Sequence, residues 1–235
     1  MHNEWLDEEF VRRWDARDAN EKERNPIRQE QLSMLTSILT DAYTQGKFIV
    51  DFGFGTGKVE EEIFSHIPSA KIIGIDASPV MIELAHERLT PFHDRYQAML
   101  CDMTNLDSLT LPKSDVQFAL SVQTLHYLPH EEKKKVFAFI HDLLEKGGTF
   151  LMIERFAVDS SNLFSVYESL WNRLENEHRS AEKKSFAEYV RRNATKKDHT
   201  ATPEEYLTWL REAGFAPACI QLHSDRGLIA AKKIV

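Results

Sequence analysis

A short glycine-rich segment directly after an apolar run constrains the fold more than any other feature of this sequence. Residues 47–52 have the apolar pattern of a buried strand, and Gly53, Gly55 and Gly57 follow at alternate positions before a predicted helix. Glycine allows positive φ angles and lets a ligand approach the backbone closely. The segment therefore predicts an α/β unit with a binding turn at the carboxyl end of its strand.

Strand runs and helical runs alternate after this turn. The predicted strands are Lys47–Phe52, Lys71–Ile75, Tyr96–Leu100, Val116–Leu120 and Thr149–Ile153, and the predicted helices lie near Lys58–His66, Pro79–Leu89 and Glu131–Leu144. Such alternation indicates βαβ units and a mostly parallel sheet that helices cover on both faces.

The C-terminal part of the chain departs from this alternation. A helix start at Thr202 precedes two predicted strands, about Ala218–His223 and Leu228–Lys233. The segment Ser224-Asp225-Arg226-Gly227 between them is a hairpin signal, and a tight turn at Arg226-Gly227 would force the two strands to pair antiparallel. The predicted organisation is an N-terminal helical cap (1–45), a cofactor-binding α/β core (46–155), a helical insertion or lid (156–202), and a C-terminal helix and β-hairpin that complete the core (203–235).

Composition argues against several classes of partner. The 235 residues contain 29 Lys and Arg against 37 Asp and Glu, so the net charge of −8 gives no general basic surface for nucleic acid or an anionic membrane. No apolar run approaches the roughly 20 residues that a transmembrane helix needs. The N-terminus lacks an apolar signal core, and we expect a cytoplasmic protein without a membrane partner.

The cysteines and histidines do not predict a metal site. Cys101 and Cys219 are the only cysteines and are expected to be reduced thiols. The ten histidines show no HxH, HExxH or CxxC spacing, so we expect no metal.

The glycine turn fits neither of two familiar phosphate-binding patterns. A P-loop requires GxxxxGK[ST], but Val59 follows Gly57-Lys58. The dinucleotide pattern GxGxxG requires a glycine where Lys58 stands. An acid followed by GxGxG remains, and this suits a nucleoside ligand without a pyrophosphate.

Residues 51–57 resemble the first motif of the class I S-adenosylmethionine-dependent methyltransferases, small-molecule type. Later motifs extend the resemblance over roughly residues 45–155: the second strand ends in Gly74-Ile75-Asp76, and the third ends in Leu100-Cys101-Asp102-Met103. Phe52 and Phe54 depart from the residues usual in the first motif, but they change packing rather than charge.

The resemblance implies a Rossmann-like, doubly wound seven-stranded sheet of order 3-2-1-4-5-7-6 with strand 7 antiparallel. It also implies S-adenosylmethionine as cofactor, released as S-adenosylhomocysteine. Asp76 would accept the ribose hydroxyls and Asp102 the adenine amino group. The implied cofactor-binding residues are Asp51, Gly53, Gly55, Gly57, Asp76, Ala77, Met81, Asp102, Met103 and Ser121.

The segment after the fourth strand bears on the methyl acceptor. Residues 121–129 are similar to the LHHL segment of small-molecule members, with Tyr127 in place of the second histidine, and they lack the [DNS]PP[YF] motif of enzymes that methylate amino groups on bases or glutamine. His126 is a candidate general base, because its pKa lies near operating pH. The alternative is a histidine packed under the cofactor. The candidate substrate residues are Trp14, Tyr127, Arg155, Tyr167 and Trp171.

These features predict methyl transfer by in-line displacement to an O or N atom of a small molecule, by a monomer or homodimer. One alternative is an enzyme that modifies RNA at the wobble uridine of tRNA, for which the only support is eight Lys or Arg against five Asp or Glu in residues 172–199. The other is a non-catalytic cofactor-binding subunit. Of the two predicted covers, the N-terminal one is expected to open, because few apolar positions lie between Asp15 and Arg28 and Asn25-Pro26 predicts a break.

Overall fold

A computed structural model describes residues 3–18, 26–111, 115–157, 162–178, 185–195 and 198–234. Its strands form one sheet: β1 (Phe48–Phe52), β2 (Lys71–Asp76), β3 (Tyr96–Leu100), β4 (Val116–Val122), β5 (Thr149–Arg155), β6 (Phe215–His223) and β7 (Arg226–Lys233). The order is β3-β2-β1-β4-β5-β7-β6, and β7 runs antiparallel to both β5 and β6. The predicted sheet order and the antiparallel seventh strand are confirmed.

Helices cover both faces of the sheet. They are α1 (Glu8–Asp18), α2 (Pro26–Ala42), α3 (Lys58–His66), α4 (Pro79–Arg88), α5 (His130–Leu143), α6 (Phe164–His178), α7 (Phe186–Thr195) and α8 (Pro203–Glu212). Short 3-10 helices lie at Asn3–Leu6, Thr90–Phe92, Met103–Ser108 and Leu125–Tyr127. One core packs α2, α3 and α4 against the sheet, and the other packs α5 and α8 against the opposite face. No helix in the described part of the chain is long and apolar enough to cross a membrane.

Local sequence explains where two of these helices begin. The Ser78 hydroxyl accepts a hydrogen bond from the Met81 amide at 3.2 Å, and Pro79 occupies the first turn of α4. Thr202 and Glu205 cap each other at the start of α8, because the Thr202 hydroxyl accepts from the Glu205 amide while the Glu205 carboxylate accepts from the Thr202 amide. Each of these two helices therefore begins directly after a loop at the carboxyl ends of the parallel strands.

The predicted turn at Arg226-Gly227 is wrong. The turn between β6 and β7 is Ser224-Asp225, with Ser224 at φ 56°, and Arg226 is already paired with His223 and with Arg155. A Cβ atom on Gly227 would lie 2.7 Å from the Phe156 ring and 2.7 Å from the Gln221 carbonyl oxygen. The glycine therefore serves close packing inside the strand rather than the turn.

The N-terminal helices and the insertion are described in part. The predicted break at Asn25-Pro26 involves Asn25, which lies outside the described residues, and α2 begins at Pro26. The basic stretch 172–199 also falls partly outside them. In the insertion, α6 and α7 pack together, and the Tyr189 hydroxyl donates a hydrogen bond to the Asp225 carboxylate in the β6–β7 turn. The insertion therefore contacts the carboxyl edge of the sheet.

Candidate functional site

The glycine turn is held tightly between β2 and the segment after β4. Gly53, Gly55 and Gly57 have φ angles of 94°, 57° and 76°, which favour glycine. The Gly53 amide donates a hydrogen bond to the Ile75 carbonyl at 2.8 Å. A Cβ atom on Gly53 would lie 2.2 Å from the Thr124 hydroxyl, so only glycine lets these two segments approach.

Phe54 has a specific packing partner. Its ring is buried and lies directly on Gly74 of β2, where a Cβ atom would approach the ring to 2.0 Å. It also stacks on Tyr96, with ring centroids 6.2 Å apart. The unusual phenylalanine in the turn is therefore matched by a glycine on the neighbouring strand.

Asp76 connects the first two loops of the site. One carboxylate oxygen accepts a hydrogen bond from the Gly55 amide at 2.9 Å, and the other accepts from the Ser78 amide at 2.8 Å. Burial raises the pKa of Asp76, and these backbone donors oppose that rise. Ala77 lies between Asp76 and Ser78 in the chain. Met81 packs with Val11 under the N-terminal helices.

The other predicted cofactor residues have clear structural partners. Asp102 accepts hydrogen bonds from the Thr104 amide at 2.9 Å and from its hydroxyl at 2.8 Å, and it starts the 3-10 helix whose first residue is Met103. Burial would raise the pKa of Asp102, but these bonds outweigh it and the pKa is lowered. Ser121 is buried, and its hydroxyl donates to the Phe52 carbonyl at 3.0 Å, so it joins β4 to β1.

Asp51 shares a buried site with Glu60, which sequence reasoning missed. Both side chains are almost fully buried, with exposed fractions of 1% and 0%. The two carboxyl groups lie within hydrogen-bond reach of each other, and within the described residues no other group donates to Asp51 Oδ1 or to either Glu60 carboxyl oxygen. Burial raises the pKa of both groups, and that of Glu60 most strongly, so Glu60 is the member of the pair that holds a proton. The signal was present in the helical spacing, since Glu60 lies three and four residues before the core residues Ile63 and Phe64.

His126 forms a buried pair with Glu154 at the carboxyl ends of β4 and β5. The distance from His126 Nδ1 to Glu154 Oε1 is 2.5 Å, and the His126 amide donates to Glu154 Oε2 at 3.1 Å. The Arg155 amide donates to the same carboxylate at 2.7 Å. Burial would raise the pKa of Glu154, but the charge and hydrogen bond of His126 outweigh it and the pKa is lowered. Glu154 was not predicted, because only the fold shows that it faces His126.

Two predicted substrate residues, Trp14 and Tyr127, meet through Trp5. The Trp5 ring lies 5.5 Å from the Trp14 ring and 5.7 Å from the Tyr127 ring, and the His126 ring lies 4.1 Å from Tyr127. The Ser78 hydroxyl donates to the Trp5 carbonyl at 2.5 Å. The N-terminal residues therefore lie over the second loop of the site and beside the His126 segment.

Asp15 of α1, also not predicted from the sequence, fixes this cover to the glycine turn. Its carboxylate accepts from the Thr56 hydroxyl at 2.6 Å and from Arg88 at 2.9 Å, and it lies 3.1 Å from the Lys58 ammonium. The same ammonium lies 5.4 Å from the centroid of the Trp14 ring. One acid on α1 thus meets three groups around the turn.

The remaining predicted substrate residues lie in two other places. Arg155 is largely buried and forms an ion pair with Asp198, in the segment whose His199 amide donates to the His126 carbonyl at 2.7 Å. Tyr167 and Trp171 pack on Phe186 inside the insertion, with ring centroids 6.1 and 5.9 Å apart. Among the residues that the structure describes, no group of three or more His, Cys, Asp or Glu side chains could hold a metal ion.

The sequence is similar to a known family model and to curated proteins. Residues 49–148 match the family model of a methyltransferase domain. A carboxy-S-adenosyl-L-methionine synthase from Campylobacter lari is 23% identical over 148 residues, 61% of each chain. The synthase of the same name from Nautilia profundicola is 25% identical over 141 residues, which cover 60% of this chain and 58% of that protein. The chain thus matches about three fifths of the length of these curated relatives.

Solved structures show the same fold. A geranyl diphosphate methyltransferase in complex with GPP and sinefungin superposes with a TM-score of 0.59 at 15% identity, covering 86% of this chain and 77% of that one. The YcgJ protein from Bacillus subtilis gives a TM-score of 0.61 at 15% identity, covering 87% and 98%. With the matching domain model, the sheet order and the glycine turn, these comparisons confirm the resemblance of the chain to the class I S-adenosylmethionine-dependent methyltransferases.

Proposed function

We propose that this protein transfers a methyl group from S-adenosylmethionine to an O or N atom of a small molecule, with His126 as the general base. The observation that carries the proposal is the buried His126–Glu154 pair, at 2.5 Å, at the carboxyl ends of β4 and β5, where β4 is the neighbour of the strand that leads into the glycine turn. Open α/β sheets bind their ligands at this edge, where the strand order reverses.

The residues around the turn fit S-adenosylmethionine. Apart from the protonated Glu60, no group within the described residues donates to the buried Asp51 Oδ1, and a ligand ammonium would compensate the charge of this carboxylate. Asp76 uses its two oxygens for two amides, and the remaining lone pairs can accept ribose hydroxyls. Asp102 would hold the adenine amino group. When bound, this cofactor supplies a methyl group on a sulfonium, whose leaving thioether needs no proton.

The His126–Glu154 pair is suited to removing a proton from an acceptor hydroxyl or amine. Because the Glu154 carboxylate accepts from Nδ1, the neutral imidazole carries its basic lone pair on Nε2. The second hydrogen bond to Glu154, from the His126 amide, fixes the ring relative to the strand. A side chain that is only 3% exposed also keeps bulk water away from the base.

A turnover screen tests this function. Labelled S-adenosylmethionine would be supplied with phenols, amines, thiols and carboxylates, and products would be identified by the mass of one added methyl group. For the best acceptor, His126→Asn should lower kcat by about 10²–10⁴-fold without changing the affinity for S-adenosylhomocysteine. His66→Asn, on the exposed end of α3, is the matched control. Full activity of His126→Asn would exclude His126 as the base.

Synthesis of a carboxylated S-adenosylmethionine is a second candidate function. It is supported by relatives named for that product, which match 55–61% of this chain. The mass of the cofactor recovered after turnover separates the two. In this candidate a carboxyl group from a carboxylic acid replaces one hydrogen of the cofactor, the acid residue keeps that hydrogen, and the acceptor screen yields no methylated products.

A further inference from the structure

Three basic side chains form a row across β5, β7 and β6. Arg226 of β7 is directly opposite Arg155 of β5 on one side and His223 of β6 on the other. Directly opposite residues of antiparallel strands project from the same face of a sheet. The row therefore presents its side chains together at the carboxyl edge of the sheet, from the face opposite to that of Glu154, which precedes Arg155 in β5.

Arg226 is a cation without a bonding partner in the described part of the chain. Its guanidinium forms no hydrogen bond and no ion pair there, and its Nη1 atom is shielded from solvent. The nearby carboxylates are engaged elsewhere: Asp198 binds Arg155, and Asp225 accepts from Tyr189. Burial lowers the pKa of Arg226, and Asp225 opposes this only at longer range.

Two buried polar atoms near Arg226 also lack hydrogen-bond partners within the described residues. His223 Nε2 and the Ser224 hydroxyl are buried and have no hydrogen-bond partner within the described residues. Buried polar groups are normally hydrogen-bonded, and a buried charge without a partner destabilises a fold. Several such groups side by side indicate that a ligand completes their hydrogen bonds.

We propose that Arg226, with His223 and Arg155 in the same row, binds a carboxylate of the methyl acceptor. This assignment rests on the proposed function, because it names the class of acceptor. The row lies next to the base, because Asp198, which pairs with Arg155, is followed by His199, whose amide donates to the His126 carbonyl at 2.7 Å. The acceptor is then a small hydroxy or amino carboxylic acid, with the carboxylate on the row and the reacting atom at His126.

Charge favours a carboxylate over a phosphate group. Asp198 pairs with Arg155, so Arg226 is the cation of the row that a ligand anion would neutralise, and one positive charge matches a carboxylate better than a dianion. The planar guanidinium matches the two oxygens of a carboxylate with parallel hydrogen bonds.

Calorimetry with benzoate and its neutral isostere benzamide tests the site. Both would be titrated into the protein saturated with S-adenosylhomocysteine. The wild type should bind benzoate and not benzamide, and Arg226→Met should weaken benzoate binding by at least about tenfold. The benzoate affinity of Arg226→Lys should lie between those of the wild type and Arg226→Met. Arg211→Met, on the exposed side of α8, should bind benzoate as tightly as the wild type.

Stability without ligand gives a second readout. If Arg226 serves a ligand, Arg226→Met removes an uncompensated cation and should melt at the same or a higher temperature than the wild type. A lower melting temperature together with unchanged benzoate affinity would show a structural role and overturn the proposal. Competition between benzoate and S-adenosylhomocysteine, or tighter binding of inorganic phosphate than of benzoate, would overturn it as well. Benzoate binding through Arg226 in a protein that fails to bind S-adenosylhomocysteine would support the site and refute the proposed function.

Discussion

Replacing Asp15 with asparagine should release the N-terminal cover from the glycine turn. The Asp15 carboxylate is 16% exposed and contacts the Thr56 hydroxyl, Arg88 and Lys58 at 2.6, 2.9 and 3.1 Å. Hydrogen bonds to a charged group contribute about 1.5–3 kcal/mol each in favourable cases. The amide of asparagine keeps one oxygen and loses the charge, so we expect a loss of about 2 kcal/mol in docking free energy.

That loss corresponds to a roughly 30-fold larger population of the undocked cover, since about 1.4 kcal/mol is a factor of ten. Hydrogen exchange of α1 should then accelerate about 30-fold in Asp15→Asn, while β1 and β4 keep their protection. Bound S-adenosylhomocysteine should slow exchange in α1 in the wild type. Asp94→Asn, at a 72% exposed carboxylate, is the control. Unchanged exchange in α1, or equal acceleration throughout the sheet, would refute the docking role of Asp15.

The contribution of Asp15 has a defined pH range. Burial would raise its pKa, but the hydrogen bonds from Thr56 and Arg88 outweigh burial and the pKa lies below its ordinary value. The charged form is therefore favoured in the docked state, and its contribution is complete above the ordinary value of 3.8. The contribution disappears as the pH falls through the lowered pKa, so the docking of α1 through Asp15 should be complete and constant around neutral pH.

Three further substitutions probe the site. Asp76→Ala should weaken S-adenosylhomocysteine binding by about 1–3 kcal/mol in calorimetry, because it removes a charged acceptor, and an affinity equal to that of Asp107→Ala would contradict this. Gly74→Ala places a Cβ atom 2.0 Å from the Phe54 ring and should destabilise the fold by about 1–3 kcal/mol in urea unfolding, with recovery when Phe54→Leu is added. Burial raises the pKa of Glu60, so the folded state binds more protons than the unfolded state and wild-type stability falls as pH rises above the ordinary value of 4.5. Glu60→Gln should remove that slope between pH 5 and pH 8, whereas parallel stability profiles of variant and wild type would show that Glu60 does not hold the proton.

The sheet could be predicted from the sequence because its signals are local. Short apolar runs, the glycine spacing and the Ser78-Pro79 helix start each depend on a few neighbouring residues, and the family motifs gave the strand order. The C-terminal turn was misplaced for a physical reason. Gly227 looks like a turn residue in the sequence, yet it is required by the closeness of Phe156.

The charged groups of the site were harder to predict, because their importance depends on burial and on distant partners. Glu60 is the first of three consecutive glutamates, and only packing shows that it is fully buried beside Asp51. Asp15 meets the glycine turn across 41 positions of sequence, and Glu154 meets His126 across 28. Tyr167 and Trp171 were recognised as aromatic residues of the insertion, but the sequence could not show that they pack on Phe186.

The charged groups that lack partners within the described residues lie on opposite sides of the central strand. β4 is the central strand of the sheet, with β1, β2 and β3 on one side and β5, β7 and β6 on the other. The first side carries the buried carboxylate of Asp51 beside the protonated Glu60, and the second carries the guanidinium of Arg226, which has no bonding partner among the described residues. A cationic cofactor end and an anionic acceptor end would therefore be drawn to opposite sides of His126, which follows β4. Because in-line transfer depends on how the two reactants are aligned, this separation of charge would orient them before any contact with the reacting atoms is made.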